Sequence, residues 1–336
     1  SEGETVTIGS GVTYNHSFSL NGNRDRQSFG SPVTLNALVP LNFGRWRFVV
    51  SEQFSFEDNE LVNAVAINEP RTASYNNQVS ATLARNFGQA SIAFEGTRSD
   101  AFSPDDPELD NTTYQVAVTP GFQVRDKYTL FWRNVYGLTY AHSPSTQNSE
   151  GYSTEVGVAG VITPQLTGTI SIGFAHSYIK AKKLGPGEGI FGGIFNPATL
   201  RADNVDGPTT TLALSYAHPL SPNTTYSITF YNNPGVSALQ KSSTISEVYG
   251  IGFTANHRLT RTITLSPYVG WSHTQDAGRS AIGQKTDLVC VTMNMQRLIS
   301  QSLRAQLEYT YVSRFSNQPN ATYDVSRLIL KMTYIF

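Results

Sequence analysis

Four groups of residues in this chain could do chemistry, and each requires a particular setting. Gly187, Gly189 and Gly192 have the G-x-G-x-x-G spacing that lets a backbone approach a dinucleotide pyrophosphate. Of the six histidines, His16 adjoins Ser17, a base beside a hydroxyl. Asp100, Asp105, Asp106, Glu108 and Asp110 form an acidic run whose oxygens could hold calcium. Basic residues recur among small polar ones, at Arg45, Arg47, Arg125, Lys127, Arg133, Arg304, Arg314, Arg327 and Lys331, where they could attract anions. Which chemistry is open to the chain depends on the elements that carry these residues.

Composition narrows the choice. Only 15% of the 336 residues are charged, against about 25% in an average soluble domain. There are 17 Tyr and 18 Phe but 3 Met and 1 Cys. Hydrophobic content is 39%, below the usual 45 to 50% or so. An aromatic-rich, core-poor chain is unlike a soluble globule. The net charge of -1, with no basic run beyond Lys180, Lys182 and Lys183, gives no reason to expect a nucleic-acid partner. Cys290 alone excludes an internal disulfide and a cysteine zinc site. No apolar N-terminal stretch precedes the rest, so the chain is expected to be either cytosolic or a mature form whose signal was removed. No run of 18 apolar residues exists to make a transmembrane helix.

Periodicity points to a different membrane architecture. In "SRLILKMTYIF", Leu328, Leu330, Met332, Tyr334 and Phe336 alternate with Arg327, Ile329, Lys331, Thr333 and Ile335. A two-residue period means a strand with one apolar and one mostly wet face. "SLRAQLEYTYVSR" and "LVCVTMNMQR" repeat the pattern. The whole chain yields about sixteen such segments of roughly ten residues each, the length that crosses a bilayer at a tilt. The non-apolar face is built of Thr, Ser, Gly, Ala, Asn and Gln with scattered charges. A soluble sandwich would bury large apolar residues there, whereas about sixteen closing strands would enclose water.

The connections alternate in length. "NFG", "RDK", "TPQ", "PLSPN", "RLTR" and "ISQS" lie in short links, and the others are longer, the longest spanning 179–207. An outer-membrane barrel has this asymmetry, with tight periplasmic turns and long extracellular loops. The expected fold is therefore all-β: one transmembrane antiparallel β-barrel domain over residues 1–336, of about sixteen strands, with N- and C-termini periplasmic. Three residues resist the pattern. Glu52 falls on the apolar face and should mark a bulge, a strand end or a subunit contact, and Pro120 and Pro267 fall inside strands, where a bulge is expected.

On such elements most of the chemistry disappears. His16 points with Tyr14 and Phe18 to the apolar face while Ser17 points to the other, so the base cannot reach the hydroxyl. No two histidines have a metal-binding spacing, and no EF-hand spacing supports calcium, so neither an enzyme, a cofactor nor a metal is expected. The glycine fingerprint leads into "NPATLRADNVDGP" with no helix, which rules out the nucleotide reading. Ile190, Phe191, Ile194 and Phe195 would be costly to leave in water. With Gly187, Gly189 and Gly192 they are expected to fold onto the barrel mouth or into the lumen as a gating loop.

Phe336 with Tyr334, Met332, Leu330 and Leu328 at alternate positions resembles the C-terminal signal by which the barrel-assembly machinery recognises Gram-negative outer-membrane proteins. "ITPQLTGTISIGF" and "LTRTITLSPYVGW" are similar to the hairpins of a family of bacterial β-barrel porins, some of which accompany exopolysaccharide secretion. The resemblance implies a bacterial outer-membrane location. It also implies contact with outer-membrane lipid and lipopolysaccharide, and either a homo-oligomer or periplasmic secretion partners.

Function then rests on the basic residues, which lie on the wet face against Glu95, Glu155 and Glu308. Arg304, Arg327 and Lys331 would form a positive patch on one wall. The expected function is a channel for passive diffusion of small hydrophilic solutes with a mild anion preference. The alternatives are an export conduit for a secreted polysaccharide and a structural or adhesive barrel with a blocked lumen.

Overall fold

The computed structural model describes residues 5–18, 26–30, 33–43, 45–58, 73–103, 110–142, 147–183, 199–200, 203–218, 221, 223–237, 244–277, 285–317 and 322–335. Among them there is no helix. The first half of the chain forms β1 (Thr5–Phe18), β2 (Arg26–Gly30), β3 (Val33–Phe43), β4 (Trp46–Asp58), β5 (Ala73–Phe87), β6 (Ala90–Phe102), β7 (Asn111–Arg125), β8 (Tyr128–Ala141), β9 (Ser149–Thr163) and β10 (Leu166–Ile179). After the short β11 (Lys182–Lys183) and β12 (Thr199–Leu200) come β13 (Asp203–Ala217), β14 (Thr224–Ser237), β15 (Thr244–Arg258), β16 (Ile263–Ala277), β17 (Lys285–Leu298), β18 (Leu303–Ser316) and β19 (Tyr323–Ile335). The two-residue alternation and the richness in Val, Ile, Thr, Tyr and Phe account for this outcome.

One antiparallel sheet of 17 strands holds all but β11 and β12, which pair with each other. β2 and β3 lie end to end along β1, with Thr13–Ser17 opposite Arg26–Gly30 and Thr5–Ser10 opposite Val33–Leu38, so the two share one place in the sheet. The other edge of β1 pairs with β19 from Thr7↔Ile335 to Phe18↔Asp324. β9 pairs with β10 and β10 with β13, which links the two halves. Each long strand thus finds a hydrogen-bonded neighbour on both edges. A bilayer requires that, since it offers no water to unpaired N–H and C=O groups.

Tight turns at 88–89, 126–127 and 164–165 alternate with longer links. In the first of these, Gly88 takes φ 78°, a conformation that favours glycine. The longer links are shorter than the sequence pattern suggests. β13 starts at Asp203, so the expected loop of 179–207 contracts to 180–202. The ladder continues past the apolar alternation because backbone pairing needs no apolar side chain once the strand has left the membrane.

Neither proline produces the expected bulge. Register is the same on both sides of Pro120, from Val118↔Asn134 to Gly121↔Phe131, and Ile92↔Pro120 pairs on the other edge. Pro267 pairs with Met293, and Phe253↔Val269 and His257↔Leu265 keep one register around it. The missing N–H removes pairing on one edge without adding a residue, so nothing shifts. The shifts occur beside turns, between Gln123 and Arg125 and between Leu166 and Thr167.

Glu52 lies in the middle of β4, opposite Ala37 on one side and Val79 on the other, with register unbroken. This excludes a bulge and a strand end. It is exposed on the same face as Phe48 and Phe54. A carboxylate facing lipid is costly, so Glu52→Leu is expected to raise stability by about 1–2 kcal/mol. Urea unfolding from lipid vesicles would measure this. A loss of stability would instead assign Glu52 to a subunit contact.

Candidate functional site

The two faces of the sheet differ sharply. On one face large apolar side chains stand exposed, including Val116, Ile172 and Leu330 at 56%, 68% and 52%. Aromatic pairs border this belt at both ends. Near the tight turns Trp46 meets Phe87 edge-on at 6.5 Å, with the Arg85 guanidinium over both rings. Near the longer links Tyr75 lies 6.1 Å from Phe102 and Tyr114 6.1 Å from Tyr140. Rings at these two levels suit the water-lipid boundaries.

The opposite, polar face holds most of the basic residues expected there. In β8, Arg133 alternates with the exposed Trp132 and so stands on the polar face. Its Nη2 lies 3.8 Å from Glu95 Oε2, and it pairs across the ladder with Glu155. Ser171 Oγ donates to Glu155 at 3.2 Å. One cation between two carboxylates leaves this part of the wall net negative. On β18 and β19, Arg304, Arg327 and Lys331 share the polar face, opposite in direction to Leu328, Leu330 and Met332. Glu308 pairs with Ile329 and lies diagonally between Arg327 and Lys331. Its carboxylate accepts from Gln306 at 3.2 Å and Thr310 at 3.4 Å. That stretch is net positive.

The remaining expected wall residues divide. Arg47 alternates to the polar face of β4 and Arg125 ends β7. Arg45 and Lys127 belong to tight turns and stand at the rim, because two-residue alternation ends where the strand ends. Arg314 is buried, 4% exposed, near the longer links. Leu328, Leu330 and Met332 lie on the exposed apolar face, and Tyr334 is in β19. Phe336 and Gly187, Gly189, Ile190, Phe191, Gly192, Ile194 and Phe195 lie outside the described residues.

The acidic run is reassigned in part. Asp100 belongs to β6, not a loop, and is paired with Arg98 at 3.0 Å. Thr112 Oγ1 donates to it at 2.7 Å and lies 3.0 Å from His142 Nε2. This Asp, Thr and His set has the wrong order for a nucleophile. The single hydroxyl proton already goes to the carboxylate, so His142 can only donate to the oxygen, not withdraw its proton.

The sequence reading missed how polar-face aromatics are seated. Phe131 pairs with Gly157 and Tyr231 with Gly250, and Tyr268 lies over Gly252 and Gly270. A Cβ at any of these glycines would collide with the ring. The rings therefore lie flat against the sheet, over the glycines of the neighbouring strands. Seeing this needs the strand register, which sequence alone does not supply. Gly157→Ala would press on both Phe131 and the Ile170 carbonyl and is expected to cost about 1–3 kcal/mol by overpacking. The shift in the urea unfolding midpoint would report it.

This fold has known counterparts. OpdQ of Pseudomonas aeruginosa is similar over 99% of this chain and 98% of its own, with TM-score 0.52 and 9% identity. OccAB3 of Acinetobacter baumannii is similar over 99% of each, with TM-score 0.51 and 10% identity. No protein-family model and no curated protein sequence matches the chain. The molecule has the porin-like β-barrel fold of bacterial outer-membrane proteins. At these identities the likeness is one of fold.

Proposed function

We propose that the sheet closes into a barrel of sixteen strands with both termini on the periplasmic side, and that it passes small hydrophilic solutes by diffusion with a mild preference for anions. The β1 to β19 ladder supports closure, and the shared place of β2 and β3 supports the count. The observation that carries the channel reading is the polar face itself. It consists of small hydroxyl, amide and glycine residues, with aromatic rings folded flat and the net positive stretch of Arg304, Arg327 and Lys331 on one side. Such a wall lets a solute keep its water while the cations bias entry. Outer-membrane lipid, lipopolysaccharide and the barrel-assembly machinery are the partners this reading implies, with a homo-oligomer as the simplest assembly.

Single-channel recording of the refolded protein in a potassium chloride gradient tests the proposal. Steady conductance with a reversal potential on the anion side is expected, and cation preference would overturn the charge assignment. A second reading, a barrel with a partly filled lumen, is favoured by one observation. On the polar face of β10 and β13, Ile179, Ser177, Ala175 and Thr209 are buried at 1%, 6%, 4% and 1%. A closed membrane at high salt would support that reading, whether the barrel serves adhesion or awaits export partners.

A further inference from the structure

The polar face of β4 to β7, towards the longer links, contains a cavity of about 190 Å³ with no basic side chain in its lining. Its form follows from register. Gln53 stands opposite Gln78, and Gln78 opposite Ser99. One step along, Ser55 stands opposite Asn76, Asn76 opposite Ala101, and Ala101 opposite Asn111. Short side chains at Ser99 and Ala101 thus make a floor between longer carboxamides. Neighbouring strands are about 4.8 Å apart and the two rows about 7 Å apart, a patch the size of one small ring. At roughly 30 Å³ per water, the space holds about six waters.

We propose that this cavity is a binding subsite for a neutral polyhydroxylated solute, such as a monosaccharide. A carboxamide presents donors and an acceptor together, and a hydroxyl needs both. Among the described residues, the carboxamides of Gln53, Asn76 and Gln78 make no hydrogen bond to protein and are exposed, so they are available. The one carboxylate in the lining, Asp100, alternates to the other face and is paired there with Arg98. An anion finds no cation in the lining, and a cation finds no free carboxylate. The other charged groups of this face, Arg47, Glu95 with Arg133 and Glu155, and those of β18 and β19, lie outside the lining. Half-open and small, the subsite would hold its occupant weakly, as a permeation path requires.

The substrate class rests on the channel reading, but its test can be separated from it. Saturation-transfer NMR of glucose, with gluconate as the charged comparison, on the detergent-refolded protein needs no conductance. Glucose transfer is expected to exceed gluconate transfer. It should fall at least fivefold in N76A/Q78A and also in A101F, which fills the floor towards open space. Gln306→Ala, on the distant β18 wall, should leave it unchanged. Glucose transfer equal in all variants, or no transfer in the wild type, overturns the subsite. A protein that binds glucose in this way yet conducts no ions would keep the subsite and overturn the channel.

Discussion

Under the proposed channel function, changing Arg304 and Lys331 together to glutamate is expected to replace a preference for anions by one for cations. With Arg327 and Glu308, these residues take their stretch of wall from two net positive charges to two net negative ones. At about 8 Å in water, a unit charge acts on a passing ion with about 0.5 kcal/mol, so two reversals amount to about 2 kcal/mol. Salt at 0.1 M screens this to about 1 kcal/mol for each ion, opposite in sign for anion and cation, so the permeability ratio changes roughly thirtyfold. Reversal potentials on either side of the substitution read it directly. Arg133→Gln makes a useful comparison. It exposes Glu95 and Glu155, removes one charge rather than reversing two, and should move selectivity the same way by less. An unchanged potential in R304E/K331E would place those side chains outside the ion path.

Arginine in place of Ile172 is expected to be among the most damaging single substitutions in the sheet. Ile172 is in the middle of β10 and is 68% exposed on the apolar face. A lipid-facing arginine at the bilayer midplane costs about 2–4 kcal/mol, a large share of the roughly 5–15 kcal/mol that holds a typical protein folded. Thr229→Arg, exposed on the polar face of β14, should cost almost nothing because water hydrates it there. Equilibrium unfolding from vesicles distinguishes the two. Equal losses would mean that the faces are assigned wrongly, and the channel reading would fall with them.

Much of this was legible from pattern. Alternation at Leu328, Leu330 and Met332 against Arg327 and Lys331 reads as a strand with two solvents, since the period of two is a property of the backbone and not of its neighbours. The rhythm of tight and long links gave the antiparallel order for the same local reason. Pro120 and Pro267 misled, because a lost N–H can be absorbed on one edge without a shift of register, and only the facing strand shows that. Asp100 misled because a ladder continues into water where apolar alternation stops.

The chain by itself therefore determined its strands, their two faces and the class of membrane they suit, since these depend on residues adjacent in sequence. Only the tertiary structure decided which side chains meet. It set Arg133 between Glu95 and Glu155, laid Phe131 on Gly157, and gathered Gln53, Asn76, Gln78 and Asn111 around a floor of Ser99 and Ala101. Each grouping joins neighbouring strands, and its members are set by cross-strand register. One residue of slip would send every one of those side chains to the other face.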